Sequence, residues 1–412
     1  MIKKLSLCIG LLFLSINLAN GKIFSVVSYI KQRININKIS PERMNICDSL
    51  QNKIENYVYN FKNNISVSII NEHGEFIVDI NGQIPRIPAS NQKILSSAFS
   101  LDTLGPNYTL KTSLKTINNG IYFIEASGDP DFDKKQLQSL ISVLNNFKHN
   151  VDYKLPIIIK SKNVKKWWPS SWTYADRSEE YGAPITKYSL SSNSSIKALN
   201  NPIDNFINEL NEALYKQNLS NKFFIKEVNT NFNVDDYSTL KIIYSAPLYI
   251  LLNLVNSESH NFTAEVILRH SLNNWSHDFP NVKYSKWLKE QNFSSEKFIF
   301  ADASGLSRLN RVTTYGLSQF LRRMKFNRFS DYYFSSFSIL GVRGSLENVK
   351  VPLNLQGTIL AKSGTLTNVR SISGLILGKD TYFSIIINNM DNSLKHILYI
   401  LSVVDNSNYC NY

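Results

Sequence analysis

Three short words stand in a fixed order along the chain: Ser90-Asn91-Gln92-Lys93, Ser259-His260-Asn261 and Lys362-Ser363-Gly364-Thr365. Each alone is weak. A lone Ser-x-x-Lys reads as an exposed helix start with a capping serine, and a lone Lys362 as a solvated strand lysine. Taken together, they ask for a fold that carries three distant segments to one place. Ser90 and Lys93 lie three apart at the head of a helical pattern (Ile94, Leu95, Ala98, Phe99, Leu101), so they share a face and the amine can reach the serine oxygen. A serine hydroxyl is a poor nucleophile until a base takes its proton. No histidine stands in a suitable context, so Lys93 is the candidate base, and it must be neutral to act. Desolvation and a second cation, Lys362, would both push its pKa down.

The rest of the chain supports such a convergence. Ile65 to Ile70 and Glu75 to Ile80 read as two strands joined by Asn71-Glu72-His73-Gly74. The helix starting near Ser90 is stopped by Gly105-Pro106. Residues 111–237 read differently. They hold short strand-like pieces (Ile121 to Ala126, Leu155 to Ile159, Phe223 to Val228), the turn Ser127-Gly128-Asp129-Pro130, and an amphipathic helix from Ile203 to Tyr215. From 238 onward come helices Pro247 to Val255, Thr263 to His270 and Thr314 to Met324. Strands Gly357 to Ala361, Ile372 to Leu377 and Tyr382 to Asn388 follow, with Leu394 to Val404 as a closing helix. Strands at both ends of a chain with a helical middle predict one α+β domain built from 22–110 and 238–412, with 111–237 inserted.

The net charge of +13 comes without a basic block beside aromatics, so a nucleic-acid partner is not expected. The excess suits a lysine-rich composition, or a mild attraction to an anionic cell-wall polymer. Residues 1–21 read as a secretory signal, with Lys3 and Lys4, the apolar stretch Leu5 to Leu18, and Ala19-Asn20-Gly21. The expected location is therefore periplasmic or otherwise extracytoplasmic. Beyond that segment only Cys47 and Cys410 remain, which excludes a disulfide framework but leaves open a pair joining the two ends. Neither they nor the six histidines show metal-ligand spacing, and no metal or organic cofactor is expected.

Pro88-Ala89-Ser90-Asn91-Gln92-Lys93 resembles the P-A-S-x-x-K of D-alanyl-D-alanine carboxypeptidases, above all the S13 family of low-molecular-mass class C penicillin-binding proteins. Asp302-Ala303-Ser304-Gly305-Leu306-Ser307-Arg308 is similar to that family's D-G-S-G-L-S-R, and Lys362 to Leu366 to its K-T-G-[ST]-L. Ser127 to Pro130 and Tyr181-Gly182-Ala183-Pro184 resemble pieces of its inserted domain, and the long gap from Lys93 to Ser259 fits an insertion there. Two departures are mild. Ala303 replaces a glycine, which matters only if the turn needs a positive φ, and Ser363 keeps the hydroxyl of the threonine it replaces.

The resemblance implies a serine β-lactamase/D,D-peptidase (transpeptidase-like) fold, an antiparallel sheet flanked by helices, with a β-rich inserted domain. It implies removal of D-alanine from peptidoglycan stem peptides, cutting of D-alanyl–diaminopimelate cross-links, or both, with β-lactams as covalent inhibitors. Ser90 would attack the carbonyl, Ser259 relay a proton to the leaving nitrogen, and Asn261 bind the substrate backbone. The N–H groups of Ser90 and Thr365 would form an oxyanion hole. Lys362, with Ser363, Gly364 and Thr365, would hold the terminal carboxylate. Asp176, Tyr181, Arg308 and Thr367 match positions lining a pocket for the meso-diaminopimelate side chain, whose ammonium and carboxylate suit one acid and one arginine. His260 occupies a variable position and reads as a bystander. Competing readings are a β-lactamase or esterase on the same scaffold and a non-catalytic peptidoglycan-binding module.

Overall fold

A hairpin near one end and a meander near the other share one sheet in the computed structural model, which describes residues 47–117, 120–146, 152–160, 167–228, 236–275, 282–291 and 298–406. Helix α1 (Asp48–Val58) leads into β1 (Ile65–Ile70) and β2 (Phe76–Ile80), and α2 (Gln92–Leu104) follows. Next come β3 (Lys111–Ile117), β4 (Ile121–Glu125), α3 (Lys134–Ser142), β5 (Leu155–Lys160), α4 (Tyr174–Ser178), α5 (Pro202–Lys216), β6 (Phe223–Val228) and β7 (Ser238–Tyr244). Helices α6 (Leu248–Asn256), α7 (Asn261–Leu272), α8 (Val282–Glu290), α9 (Thr314–Lys325) and α10 (Ser330–Ser335) precede β8 (Ser338–Ile339). Strands β9 (Ile359–Leu366), β10 (Val369–Ile376) and β11 (Thr381–Asn388) then lead to α11 (Leu394–Asp405).

The first sheet runs β2-β1-β11-β10-β9-β8, every neighbouring pair antiparallel. Its closure between the two ends is the β1–β11 pairing, with Val67 opposite Ile385. Both faces are covered, which is why β1 and β11 are buried along their whole length, Ser66, Ser68 and Ser384 included. On one face Ile65, Val67, Phe383 and Ile385 pack with Leu50 and Ile54 of α1 and with Ile397 and Leu401 of α11. On the other, Ile70, Tyr382 and Ile386 share a core with Leu95 and Phe99 of α2, Val266 of α7 and Phe320 of α9. The helices that follow the first two words thus meet the sheet on this second face, and the third word lies on β9 of the sheet itself.

The second sheet runs β6-β5-β4-β3-β7, parallel at β4–β5 and β5–β6 and antiparallel elsewhere. Helices α3 and α5 cover one side of it through Leu137, Ile141, Phe206 and Leu210. Its strands run to Tyr244, past the expected boundary at 237, because β7 pairs with β3. Helix α3 also goes unread from the sequence, although it begins with a capping box between Asp133 and Gln136. The expected signal (1–21) and Cys410 lie outside the described residues; Cys47 itself is disulfide-bonded. Among the described residues no helix is long and apolar enough to cross a membrane.

Candidate active site

Ser90 sits in a single 3-10 turn, Ala89–Asn91, that runs directly into α2. Ala89 ahead of it holds φ +48°, a left-handed conformation uncommon for alanine. Such strain persists only where surroundings impose it, and here the neighbour is the 302–310 loop. A Cβ added to Gly305 would lie 1.9 Å from the Ala89 carbonyl oxygen. Gly305, itself at φ +82°, is therefore needed both for its turn and for this close approach.

Lys93 is fully buried one helical turn on. Its Nζ donates to Ser90 Oγ at 3.0 Å, to Asn261 Oδ1 at 2.6 Å and to the Ser304 carbonyl at 2.7 Å. Burial pulls its pKa down to about 7, against the opposing pull of Asp302 and Glu265. Lys362, also fully buried, is held well below its ordinary value by burial first and by the charge of Lys93 second, with Glu258 opposing. The two-lysine effect expected from the sequence therefore falls on Lys362, while the Lys93 shift comes from desolvation.

The loop that receives Lys93 is organised by two buried carboxylates. Asp302 takes five donors: Gly305 N, Ser307 N, Asn310 Nδ2, Trp172 Nε1 and Ser304 Oγ. Glu265 of α7 accepts Ala303 N at 2.8 Å and Ser304 N at 3.0 Å on one oxygen and pairs with Arg269 on the other. Ala303 is buried and is not among the positive-φ residues, so its loss of glycine costs the turn nothing. None of Glu265, Trp172 and the Ser304 carbonyl stands out in the sequence. Glu265 and Arg269 look there like an exposed i,i+4 pair, and a backbone oxygen has no sequence signal at all.

Strand β9 supplies the third word. A Cβ at Gly364 would lie 2.9 Å from both Ser90 N and the Pro88 carbonyl oxygen, and 2.3 Å from Ser371 Oγ. The strand thus presses its backbone against the nucleophile's own N–H. Gly364→Ala is expected to lower the rate of acylation at Ser90 by about 100-fold or more, the loss typical of a misplaced oxyanion donor. Stopped-flow labelling with a fluorescent β-lactam measures this, and an unchanged rate would remove Gly364 from the site. Beyond Leu360 and Ala361, which pair with β8, no described strand covers the outer edge of β9 from Lys362 to Leu366.

The second word joins from the α6–α7 corner. Ser259 has φ +64° and its hydroxyl makes no hydrogen bond among the described residues. The corner is held by His260 N to Leu254 O and Ser257 N to Asn253 O. Asn261 opens α7, its Oδ1 on Lys93 and its Nδ2 donating to the Tyr181 carbonyl at 2.9 Å. His260 bonds Thr263 Oγ1 through Nδ1 at 2.7 Å, and burial plus the charge of Lys93 push it down to about 4, so it is neutral at ordinary pH. The 167–188 stretch thereby touches the site twice, through Trp172 and through Tyr181.

The outer residues group in two places. Asp176 bonds Thr173 Oγ1 at 2.6 Å and lies close enough to Tyr181 to raise its phenol pKa, second to desolvation. Arg308 donates to the Thr367 carbonyl at 2.9 Å. Asp176 and Arg308 form no ion pair with each other or with any other described residue. Among the described residues no group of side chains is arranged to hold a metal ion.

The model of the D-Ala-D-Ala carboxypeptidase 3 (S13) family matches residues 50–205 and 192–398. Penicillin-sensitive carboxypeptidase A of Dictyostelium discoideum is 27% identical over 189 residues, covering 42% of this chain and 36% of that relative's length. Among solved structures, penicillin binding protein 4 of Haemophilus influenzae is similar with TM-score 0.73 at 18% identity, over 87% of this chain and 99% of that one. A complex of that protein with a β-lactam gives 0.66 at 19% identity, over 84% and 96%. A predatory endopeptidase of Bdellovibrio bacteriovorus, bound to an immunity protein, gives 0.53 at 18% identity, over 82% and 91%. At such identities the structural likeness carries the fold, an α+β transpeptidase-like arrangement of two sheets.

Proposed function

Because the chain belongs to the D-Ala-D-Ala carboxypeptidase 3 (S13) family, we propose that it is a serine D,D-peptidase of peptidoglycan, working through an acyl-enzyme on Ser90. The observation that carries this is a fully buried lysine amine, Lys93 Nζ, 3.0 Å from Ser90 Oγ, with a pKa of about 7. Neutral Lys93 takes the Ser90 proton as Oγ bonds to the carbonyl carbon of the penultimate D-alanine. The oxyanion is met by the N–H groups of Ser90 and Thr365, which the close approach at Gly364 supports. The C–N bond then breaks as the proton on Lys93 passes by way of Ser259 to the leaving nitrogen, which leaves the amine neutral again. Water attacks the ester in the second half, Lys93 accepts its proton, and that proton returns to Ser90 Oγ as the ester C–O bond breaks.

The uncovered edge of β9 offers the substrate a strand to pair with, which fixes the scissile bond along Ser90. Lys362, Ser363 and Thr365 stand where the terminal carboxylate would lie. Asp176, Tyr181, Arg308 and Thr367 form the wall for a diaminopimelate side chain, a reading supported by an acid and an arginine that satisfy no described ion pair. Acetylating the free amino group of that side chain is expected to lower turnover by about 10-fold. Equal rates, unchanged in Asp176→Ala, would sink the pocket. Such a substrate lies outside the cytoplasm, and the expected signal at residues 1–21 supports the same location for the protein.

The test is covalent labelling of the protein by penicillin, followed by intact mass and peptide mapping, with D-alanine release from a D-alanyl-D-alanine stem peptide measured in parallel. Long-lived label on the peptide holding Ser90, together with released D-alanine, supports the proposal. Rapid β-lactam turnover without D-alanine release would make it a β-lactamase, and no label would make it a binding module.

A further inference from the structure

Arg370 lies on β10 directly opposite Thr365 of β9, so the two side chains share one face of the sheet. Its Nη1 donates to Thr365 Oγ1. Since that oxygen accepts from the guanidinium, the threonine's own O–H remains to donate elsewhere. Arg370 is half-buried and forms no ion pair among the described residues, and burial alone accounts for the downward pull on its pKa. A guanidinium nevertheless stays charged at working pH. Lys362 has its amine turned onto the Ser363 carbonyl at 2.8 Å and is held well below its ordinary pKa. The cation bonded to Thr365 is therefore the arginine.

We propose that Arg370 is a substrate-binding residue that, together with the Thr365 hydroxyl, reads the free carboxylate adjacent to the leaving nitrogen. The inference rests on the D,D-peptidase reading above. Both products of that reaction, a terminal D-alanine and the D-centre of a cross-linked diamino acid, carry a carboxylate at this position. The planar fork matches it with parallel N–H donors. Amidating that carboxylate should therefore weaken recognition through Arg370.

The probe is the stem peptide L-alanyl-γ-D-glutamyl-meso-diaminopimelyl-D-alanyl-D-alanine compared with its C-terminal carboxamide, measured as kcat/KM with the unaltered protein, Arg370→Ala and Arg370→Lys. The unaltered protein is expected to favour the acid by about 10- to 100-fold, the usual worth of hydrogen bonds to a charged group. Arg370→Ala should collapse that preference, and Arg370→Lys should retain part of it. A merely structural role would lower both substrates together and leave the preference intact, and either that result or an acid preference untouched in Arg370→Ala overturns the proposal. Equal cleavage of acid and carboxamide by the unaltered protein overturns it too, while leaving the peptidase reading standing. Turnover of neither peptide by the unaltered protein overturns both.

Discussion

Replacing Lys93 by methionine is expected to slow acylation of Ser90 by a β-lactam about 1,000-fold, within the range that general bases contribute. Methionine fills similar space without a proton acceptor, so the loss isolates the base. The unaltered protein should show an acylation rate that rises through pH of about 7, since the neutral amine predominates above that value. The same shift bears on stability. The folded amine is pulled from 10.5 down to about 7, so between those values the unfolded chain binds more protons than the folded one. By linkage the Lys93 contribution to stability then improves as pH rises across that window. Below it, the folded state must bury an ammonium. Lys93→Met removes this burden but leaves Asn261 Oδ1 and the Ser304 carbonyl without their donor, at about 1–3 kcal/mol each. Intact-mass labelling across pH 5.5 to about 9 reads the first effect. A methionine variant labelled at the normal rate, or a profile flat across neutral pH, would remove Lys93 from the role of base.

What was legible beforehand divides along a physical line. Ile65–Ile70 announces itself as a strand because Ile65, Val67 and Ile69 alternate with Ser66 and Ser68, and Thr381–Asn388 because it carries the β-branched run Ile385 to Ile387. Strands β3 and β7 do not. Thr112, Ser113, Lys115 and Thr116 are polar yet buried, Lys115 by pairing with Glu125 at 2.5 Å and lying 3.9 Å over the Tyr237 ring. Those partners belong to other elements, so only tertiary contact reveals the strand. The same holds at the site. Ser90, Lys93, Asn261, Lys362 and the Asp302 loop carry words with fixed spacing, and the fold sets Lys93 against Ser90, Asn261 and the loop's Ser304 carbonyl. The left-handed backbones of Ala89 and Ser259 are set by their surroundings and not by residue type. Arg370 gains meaning only once the β9–β10 register places it opposite Thr365. Words name the groups that react, whereas the groups that hold them depend on which faces meet.

Among those holding groups, the buried Glu265–Arg269 pair supports the largest stability effect. Its side chains are 0% and 3% exposed, with Oε2 and Nη1 2.7 Å apart. Burial raises the pKa of Glu265, and the charge of Arg269 is the first influence opposing that rise. Arg269→Leu keeps an apolar stem in place but strips the charge, and the cost of leaving a buried carboxylate without its partner is about 3–5 kcal/mol. The sign with pH follows. With its folded pKa raised further, Glu265 contributes stability that is full below the unfolded carboxyl value and is lost as pH rises through the folded one. The deficit of Arg269→Leu should therefore be small at acid pH and grow toward neutrality. Urea unfolding of both proteins at acid and neutral pH measures it, and a deficit that ignores pH would deny Glu265 its charge. The consequence reaches the chemistry, because the other Glu265 oxygen holds the N–H of Ser304 at 3.0 Å, and the carbonyl of that residue receives Lys93 at 2.7 Å. Loosening the pair frees the Ser304 peptide from α7, so Arg269→Leu should slow acylation as well as weaken the fold. Arg269→Lys, which restores a charge without the fork, should recover part of the stability before it recovers the rate.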